Sequence, residues 1–505
     1  MKKIINYIFA VSILMYSSAC DNNFDELNTN KVSATAIDPG FQLNAAIVGC
    51  AYPNGTLVYD IGVVQQIISP NSGVLTGANY NQDNRASTQE LWQGYYRNVI
   101  KNTKDVISQV QDDPSRANLF HMTRIIQAFA FMVLTDDYGS IPYFEGGEGY
   151  SQQVYFPVYD SQEVIYEDII KELTEATAAL NLSGKMETAD ILYGGDLNKW
   201  KSFGYSLLLR AGMRLSEVDA AKAQQVVQTA FQGGVILTNS DNAKIAHDPN
   251  YTNTIGNLLN STEASNFYLT EPFVEYLRSK NDPRLSAIAV TYVGALSGPE
   301  QTPANETYEA SVHVGMPMGN DNAGAVKAAS DLGLNSFYEF AQADRRRLAK
   351  NTAPNFLVTA SQNFLLLAEA RNRGWINVGD VETYYNAGVR AHMDQLGTVD
   401  EASSIAPSAV EAYLTANPFD ASKALEQINT QYWVSSFLNG PEAFANFRRS
   451  GYPMLDPNPF QGREVVFINR LTYPNSEISV NSENVGAAIS AQGADNLETK
   501  VWWDK

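Results

Sequence analysis

The sequence predicts a mainly α-helical protein that carries long loop insertions. The segment Glu163–Leu180 has apolar residues at steps of four, four, three and four, namely Ile165, Ile169, Leu173, Ala176 and Leu180. The segment Asp196–Val218 keeps a similar spacing at Trp200, Phe203, Leu207, Ala211 and Leu215. This spacing puts the apolar side chains on one face of a helix, so both segments are predicted to be amphipathic helices.

Two later segments add helices of a more buried kind. Residues Phe364–Ala368 are apolar nearly all round, which predicts a buried helix that ends at Gly374. The segment Ser422–Pro441 predicts another helix, because its Asn-Gly-Pro sequence stops one helix and starts the next.

Three long polar stretches rich in Gly, Asn and Pro interrupt this helical pattern. They span Ser69–Ser87, Asp241–Asn266 and Gly294–Gly324. Loops of this length in a compact domain are usually either functional or disordered. We therefore expect a helical scaffold with large insertions, and we find no strict internal repeat.

The first twenty residues have the pattern of a secretory signal that ends at a lipid-modified cysteine. Lys2 and Lys3 precede the apolar run Ile4–Tyr16, which is too short to span a bilayer. Small residues follow, and then Cys20, although Ser17 departs from the usual leucine of a lipobox. We expect a signal peptide at 1–19, a lipidated leash at 20–35 and one helical domain at 36–505. The alternative is an ordinary signal peptide with an unrelated cysteine.

Composition argues against nucleic acid as a partner and against disulfide bonds within the fold. The formal net charge is −20, and such an acidic surface argues against nucleic acid, which requires basic patches. Apart from Cys20 the only cysteine is Cys50, so a lipidated Cys20 would leave no disulfide to stabilise the fold.

Motifs of known enzyme classes are absent from the sequence. There is no metalloprotease motif, nucleophile elbow, phosphate loop or dinucleotide fingerprint. The four histidines, His121, His247, His313 and His392, are too far apart to suggest a metal site. We expect a protein that is not an enzyme and has no metal or other cofactor.

Aromatic residues are the more informative group, with 27 tyrosines against 6 tryptophans. The tryptophans lie in predicted helices, at helix ends or at the C-terminus, so we expect them to pack the scaffold. The long loops carry Tyr80, Tyr251, Tyr292 and Tyr308. A tyrosine has a flat apolar face and a polar edge, which suits the recognition of sugars or peptides.

In several sequence segments the chain resembles the SusD/RagB-like family of nutrient-binding outer-membrane lipoproteins of the Bacteroidetes. The resemblance covers nearly the whole chain, in segments that occur in the family's order. They include DNNFDELNTN after Cys20, LWQGYYRNVIKNTKDVI, LTDDYGSIPYFEG, NDPRLSAI, NFLLLAEARNRGW, QYWVSSFLNGPEAFANFRRSGYPML, RLTYPNSEIS and TKVWWDK.

The resemblance implies a fold, a location and a partner. The fold is a scaffold of tetratricopeptide-like helix pairs whose long loop insertions form the ligand-binding face. The location is the cell surface, with the protein anchored by lipid to the outer membrane. The partner is a SusC-like TonB-dependent transporter, over which the protein would lie as a lid and to which it would deliver captured ligand.

The resemblance also points to two regions as sources of ligand contacts. In the loop before Trp92 we select Tyr80, Asn81, Asp83 and Arg85, which offer one stacking face and three hydrogen-bonding side chains. This loop lacks the tryptophan that a starch-binding member uses there. In the central insertion we select Tyr292, Tyr308 and His313, with Met316 and Met318 either lining an apolar edge or simply packing.

Three functions remain open from the sequence. The first is capture of oligosaccharides without cleavage, for delivery to the transporter. The second is capture of peptides or proteins by the same system. The third is a surface glycoside hydrolase, since glycosidase carboxylates have no universal spacing.

Overall fold

The computed structural model describes residues 37–71, 77–260, 267–458 and 466–505. Residues Pro39–Lys505 form one compact unit. Its helices are α1 (Pro39–Gly49), α2 (Gly55–Val58), α3 (Asp60–Val63), α4 (Arg85–Tyr95), α5 (Lys101–Val110), α6 (Ala117–Tyr138), α7 (Gln162–Ala179), α8 (Leu197–Arg214), α9 (Ala220–Gly233), α10 (Thr254–Asn260), α11 (Glu271–Ser279), α12 (Arg284–Ile288), α13 (Asn322–Asp331), α14 (Ala360–Asn372), α15 (Val381–Val399), α16 (Pro407–Ala416), α17 (Ala424–Ser435), α18 (Gly440–Ser450), α19 (Asn475–Val480) and α20 (Ser482–Gln492).

The helices predicted from periodicity are present with their apolar faces buried. Helix α7 buries Ile165, Ile169, Leu173 and Ala176, and α8 buries Trp200, Phe203, Leu207 and Ala211. Helix α14 begins at the side-chain cap Thr359 and is followed by Gly374 at φ 74°, a conformation that glycine adopts without strain. The prediction of a mainly α-helical fold is confirmed.

Neighbouring helices in the chain pack against one another in pairs. Helix α5 packs on α6, α6 on α7, α7 on α8 and α8 on α9. Further along the chain, α14 packs on α15 and on α17. Repeated packing of consecutive helices gives the tetratricopeptide-like scaffold that the resemblance implied.

Helix α6 is the central helix of this scaffold. Together with the turn before it, it is long and apolar enough to cross a membrane, but most of it is buried against other parts of the protein. Its residues Leu119–Leu134 face neighbouring helices on nearly every side. Within the described residues α6 is therefore a core helix of a globular body.

Short strands lie between the helices and in the long insertions. They are β1 (Ile67–Ile68), β2 (Ala243–Ile245), β3 (Tyr268–Leu269), β4 (Ala289–Tyr292), β5 (Glu306–Thr307), β6 (Gln342–Ala343) and β7 (Asn355–Val358). β1 pairs with β3, β2 pairs with β7, and β4 lies between β5 and β6, all antiparallel. The described parts of the long polar stretches are therefore partly ordered by pairing with distant strands.

One large hydrophobic core holds the scaffold together, and two smaller clusters support the insertions. As predicted, the tryptophans belong to the packing: Trp92, Trp200, Trp375, Trp433 and Trp503 are buried, and Trp502 is partly buried. Met316 and Met318 are also buried, in the cluster formed with Tyr268, Phe337 and Phe340. Of the two roles open to these methionines, the structure therefore shows packing.

A buried ionic network joins α6, α8 and α18. The guanidinium of Arg214 lies 3.2 Å from the Asp136 carboxylate and 2.7 Å from Glu442, and all three side chains are buried. Arg210 reaches the same oxygen of Glu442 at 3.0 Å. The two carboxylates are thereby offset by two arginines, which allows the charges to remain in the core.

A second buried cluster brings together two carboxyl groups. Asp60 of α3 and Asp137 of α6 are both fully buried, and their carboxyl oxygens have no donor among the described residues. Among the described residues, the cation paired with them is Arg448, whose Nη2 lies 3.7 Å from Asp137. Burial raises the pKa of Asp60 to about 7, so one proton shared by the pair would supply the missing hydrogen bond.

Candidate functional site

The loop before α4 is hydrogen-bonded to the buried side chain of Tyr59 in the scaffold. The buried Tyr59 hydroxyl donates to the carbonyl of Gln82 at 2.6 Å and accepts from the backbone amide of Asn84 at 2.6 Å. Asn84 then caps α4, since its side chain accepts from the Ala86 amide. The described part of this loop, residues 77–84, is therefore fixed at its inner edge, and Tyr80 and Asn81 are partly exposed on it.

A buried asparagine joins this loop to the central insertion. The Asn79 side-chain amide donates to the carbonyls of Ser69 and Asn320, and its oxygen accepts from the Gly319 amide at 2.8 Å. The side chain of Asn458 adds two more bonds, to the carbonyls of Ala78 and Asn79. Three distant parts of the chain thus meet at one edge of the protein.

Asp83 and Arg85 take part in a network of ion pairs. Arg85 Nε lies 3.0 Å from Asp83, and its Nη1 lies 2.7 Å from Asp495. Asp83 also accepts from the Thr472 hydroxyl at 2.7 Å, and Arg470 binds the second oxygen of Asp495 at 2.7 Å. These bonds fix the loop to the C-terminal segment.

A cleft of about 310 Å³ opens beside this network. Its walls are formed by Tyr80, Asn81, Asp83, the segment 466–468 and the segment 495–498. The volume is at the lower end of the range for sites that bind small ligands. An aromatic ring, a side-chain amide and several carboxylates face the same space, which is a set of groups that can stack on a sugar ring and accept hydrogen bonds from hydroxyls.

Asp321 lies close to Tyr80, because the carbonyl of the preceding residue, Asn320, accepts from the side chain of Asn79. It caps α13, since its carboxylate accepts from the Gly324 amide at 2.8 Å. Burial and then the charge of Asp321 raise the pKa of the Tyr80 phenol. The phenol therefore remains protonated at neutral pH and can donate as well as accept a hydrogen bond.

Of the residues selected in the central insertion, Tyr292 and His313 lie inside the protein. Tyr292 is 1% exposed and lies on β4, where its hydroxyl accepts from Arg345 Nε at 3.1 Å. His313 is fully buried, with Nδ1 2.9 Å from the Thr291 hydroxyl, and burial lowers its pKa to about 4. Neither side chain reaches the surface, so we do not retain either of them in the candidate site.

Tyr308 is partly exposed, but its groups are engaged within the insertion. Its hydroxyl donates to Glu306 at 2.9 Å, and the guanidinium of Arg347 lies 4.0 Å from the centre of its ring. This cation–π contact covers one face of the ring. The remaining loop tyrosine, Tyr251, stacks on His247 and donates to the Val48 carbonyl at 3.0 Å, so it packs locally.

The sequence did not point to the C-terminal wall of the cleft. Phe467, Asp495 and Leu497 lie between 387 and 417 residues beyond Tyr80 in the chain, and no local pattern marks them as partners of the loop. Cys20, the predicted lipid attachment site, lies outside the described residues.

A larger groove of about 690 Å³ lies between α5, α6 and α7. Its charged groups pair with one another, as Arg124 does with Glu172 at 2.7 Å and Lys104 with Glu148 at 3.3 Å. None of the residues selected from the sequence lines it. We therefore place the candidate site at the loop cleft.

The scaffold defines the class of protein: a helical, tetratricopeptide-like body with a cleft built from loops at one edge. The family model described as starch-binding and associating with the outer membrane matches residues 29–474. The chain belongs to this SusD-like family. Among the described residues, no group of three or more His, Cys, Asp or Glu side chains is arranged to hold a metal ion.

Solved structures agree with this assignment. A chitin-binding protein is 31% identical, with a TM-score of 0.81 over 92% of this chain and 100% of its own. A SusD-like protein of the Bacteroidetes is 24% identical, with a TM-score of 0.81 over 93% and 100% of the two chains. A chitin-binding SusD homologue from Flavobacterium johnsoniae is 22% identical, with a TM-score of 0.73 over 92% and 98%. No curated protein matches significantly.

Proposed function

We propose that this protein captures oligosaccharides at the cell surface, without cleaving them, and delivers them to a partner TonB-dependent transporter. The observation that carries the proposal is the loop cleft, where the Tyr80 ring lies beside hydrogen-bonding groups on a fixed loop. Membership of a family of outer-membrane-associated, starch-binding proteins supports the same reading.

We propose chitin oligosaccharides as the first ligands to test. The support is the similarity to a chitin-binding protein at 31% identity over most of both chains. An N-acetylglucosamine unit has an apolar ring face for stacking on Tyr80, together with hydroxyl and amide groups that Asn81 and the nearby carboxylates can bind.

We expect Tyr80→Ala to weaken the binding of an N-acetylglucosamine hexamer about tenfold, or about 1.4 kcal/mol, because the variant loses the stacking face. The melting temperature should change by no more than about 2 °C, since Tyr80 is partly exposed and lies outside the main core. Isothermal titration calorimetry measures the affinity, and differential scanning fluorimetry measures the melting temperature.

The matched control is Tyr155→Ala. Tyr155 is 67% exposed and does not line the cleft, so its removal should leave affinity unchanged. If Tyr80→Ala binds the hexamer as well as the parent does, the cleft is the wrong site. If the parent binds none of a wider panel of malto-, cello-, xylo- and chito-oligosaccharides, carbohydrate capture itself is wrong.

We further propose the organisation that the N-terminal sequence indicates: a signal peptide at 1–19, a lipidated leash at 20–35 and one SusD-like domain at 36–505. A lipid anchor at Cys20 would place the cleft near the transporter, which raises the effective concentration of captured ligand at the pore. Modest affinity suits such a carrier, because tight binding would slow release.

Cys20→Ala should move the protein from the outer-membrane fraction to the soluble fraction, because acyl chains at this residue would supply the anchor. Immunoblotting of fractionated cells measures the distribution. The control is Cys50→Ala, which removes the other cysteine, a buried residue in the core beside α1. A Cys20→Ala protein that stays wholly in the membrane fraction would show that another element anchors it.

A further inference from the structure

The walls of the candidate cleft carry an unbalanced set of charges. Three carboxylates line it, those of Asp83, Asp495 and Glu498. Among the described residues that line the cleft, none is a lysine or an arginine. The surface that meets the ligand is therefore acidic.

The arginines closest to the cleft are already engaged with the protein. Arg85 binds Asp83, Asp495 and the carbonyl of Tyr473 at 2.8 Å. Arg470 is fully buried and binds Asp495 and nearby carbonyl groups. Asp495 thus accepts from two arginines: turning Arg85 toward an acidic ligand would break its ion pairs with both Asp83 and Asp495, and Arg470 is enclosed within the protein.

Two other carboxylates have no such partner. Glu498 is an exposed wall residue, and Asp321 is an exposed residue near Tyr80, next to the Asn320 carbonyl that accepts from Asn79. Neither forms an ion pair with another described residue. The nearby Lys500 is paired with Asp504, with its Nζ 3.3 Å from a carboxylate oxygen of Asp504. The α13 N-terminus stabilises the charge on Asp321 without removing it.

We infer that the cleft selects glycans that lack acidic groups, accepting uncharged or amino-bearing sugars and rejecting those that carry sulfate or uronate. This inference rests on the proposed function and adds the charge class of the ligand. A sulfate group beside Tyr80 would meet the like charges of Asp321 and Glu498, and no lysine or arginine among the described residues that line the cleft would offset them. Hydroxyl and amino groups would instead donate hydrogen bonds to these carboxylates.

The expected size of the effect follows from the exposure of the two carboxylates. A single exposed charge pair changes affinity by about 1.4- to 5-fold, and the effect weakens as salt screens it. Two carboxylates together should lower the affinity for a sulfated glycan by about 2- to 25-fold at low ionic strength, relative to the uncharged form of the same chain.

The experiment compares glycans that share a backbone and differ in charge. Malto-, cello- and chito-oligosaccharides are titrated by calorimetry, each as the uncharged form and as its 6-O-sulfated form, together with the deacetylated chito-hexamer. We expect binding by uncharged forms, weaker binding by their sulfated forms, and binding of the deacetylated hexamer that falls as salt is added. Sulfated forms that bind more tightly than uncharged ones, with the binding lost in Tyr80→Ala, would overturn the inference.

A charge-reversal variant separates electrostatic rejection from steric exclusion of the bulky sulfate. In the double variant Asp321→Lys with Glu498→Lys, the affinity ratio of sulfated to uncharged glycan should rise by about tenfold or more at low salt. An unchanged ratio would show that size rather than charge excludes sulfate, which overturns the inference but leaves carbohydrate capture intact. If no form of any backbone binds the parent protein, the proposed function fails and the inference fails with it.

Discussion

Replacing Arg214 with methionine is expected to lower the free energy of unfolding by about 3 to 5 kcal/mol. The variant keeps an apolar side chain of similar length but leaves Asp136 and Glu442 without the cation that lies between them. Arg210 still reaches Glu442 at 3.0 Å, but Asp136 would keep only its neutral donors, the Tyr166 hydroxyl and the Trp503 indole. A buried carboxylate without its cation is strongly destabilising. Urea denaturation followed by tryptophan fluorescence measures the change.

The matched control is Arg390→Met. Arg390 binds Glu411 at 2.8 Å, a distance similar to those of the Arg214 contacts. The side chains of Arg390 and Glu411 are, however, both exposed to solvent. Water replaces the lost partner there, so the expected change is below about 1 kcal/mol. Equal losses in the two variants would mean that the buried network contributes no more to stability than a surface ion pair.

Asp60→Asn is expected to change how stability depends on pH. Burial raises the pKa of Asp60 from 3.8 to about 7, so between these values the folded protein holds a proton that the unfolded chain has lost. The stabilising contribution of this group is therefore complete below about pH 4 and is lost as the pH rises to about 7. Asparagine has no proton to lose, and its amide can donate to Asp137. The stability of the variant relative to the parent should rise by about 2 to 4 kcal/mol from pH 4 to pH 8.

The groups that face Asp60 determine the size of this effect. Burial opposes the ionisation of Asp60 and of Asp137, the charge of Asp60 further raises the pKa of Asp137, and Arg448 favours the ionisation of both. Denaturant unfolding of the parent and the variant at a series of pH values measures the difference. Asp112→Asn is the control, because Asp112 is exposed and its replacement should leave the free energy of unfolding nearly unchanged. A difference for Asp60→Asn that does not vary with pH would show that Asp60 does not hold a proton in the folded state.

The sequence by itself determined the helical scaffold. Helices are specified by local periodicity, and the steps of three and four in Glu163–Leu180 were enough to predict which residues of α7 are buried. The end of α14 just before Gly374 could be predicted for the same reason, because the signals that cap a helix lie in adjacent residues of the sequence. The ordered family segments added the tetratricopeptide-like packing and the loop that carries Tyr80.

Which loop residues line the cleft could be learned only from the folded protein. The sequence treats Tyr80 and Tyr292 alike, as tyrosines in long polar segments. Tyr292 is buried because it packs with Val290 and Ala295 in a small apolar cluster, whereas Tyr80 is partly exposed on a loop that Asn79 and Tyr59 hold at its inner edge. The opposite wall of the cleft comes from residues 466–468 and 495–498, brought there by the ion pairs of Asp495. Such contacts join residues nearly 400 positions apart, and long-range pairing of this kind leaves no periodic or local signal in the chain.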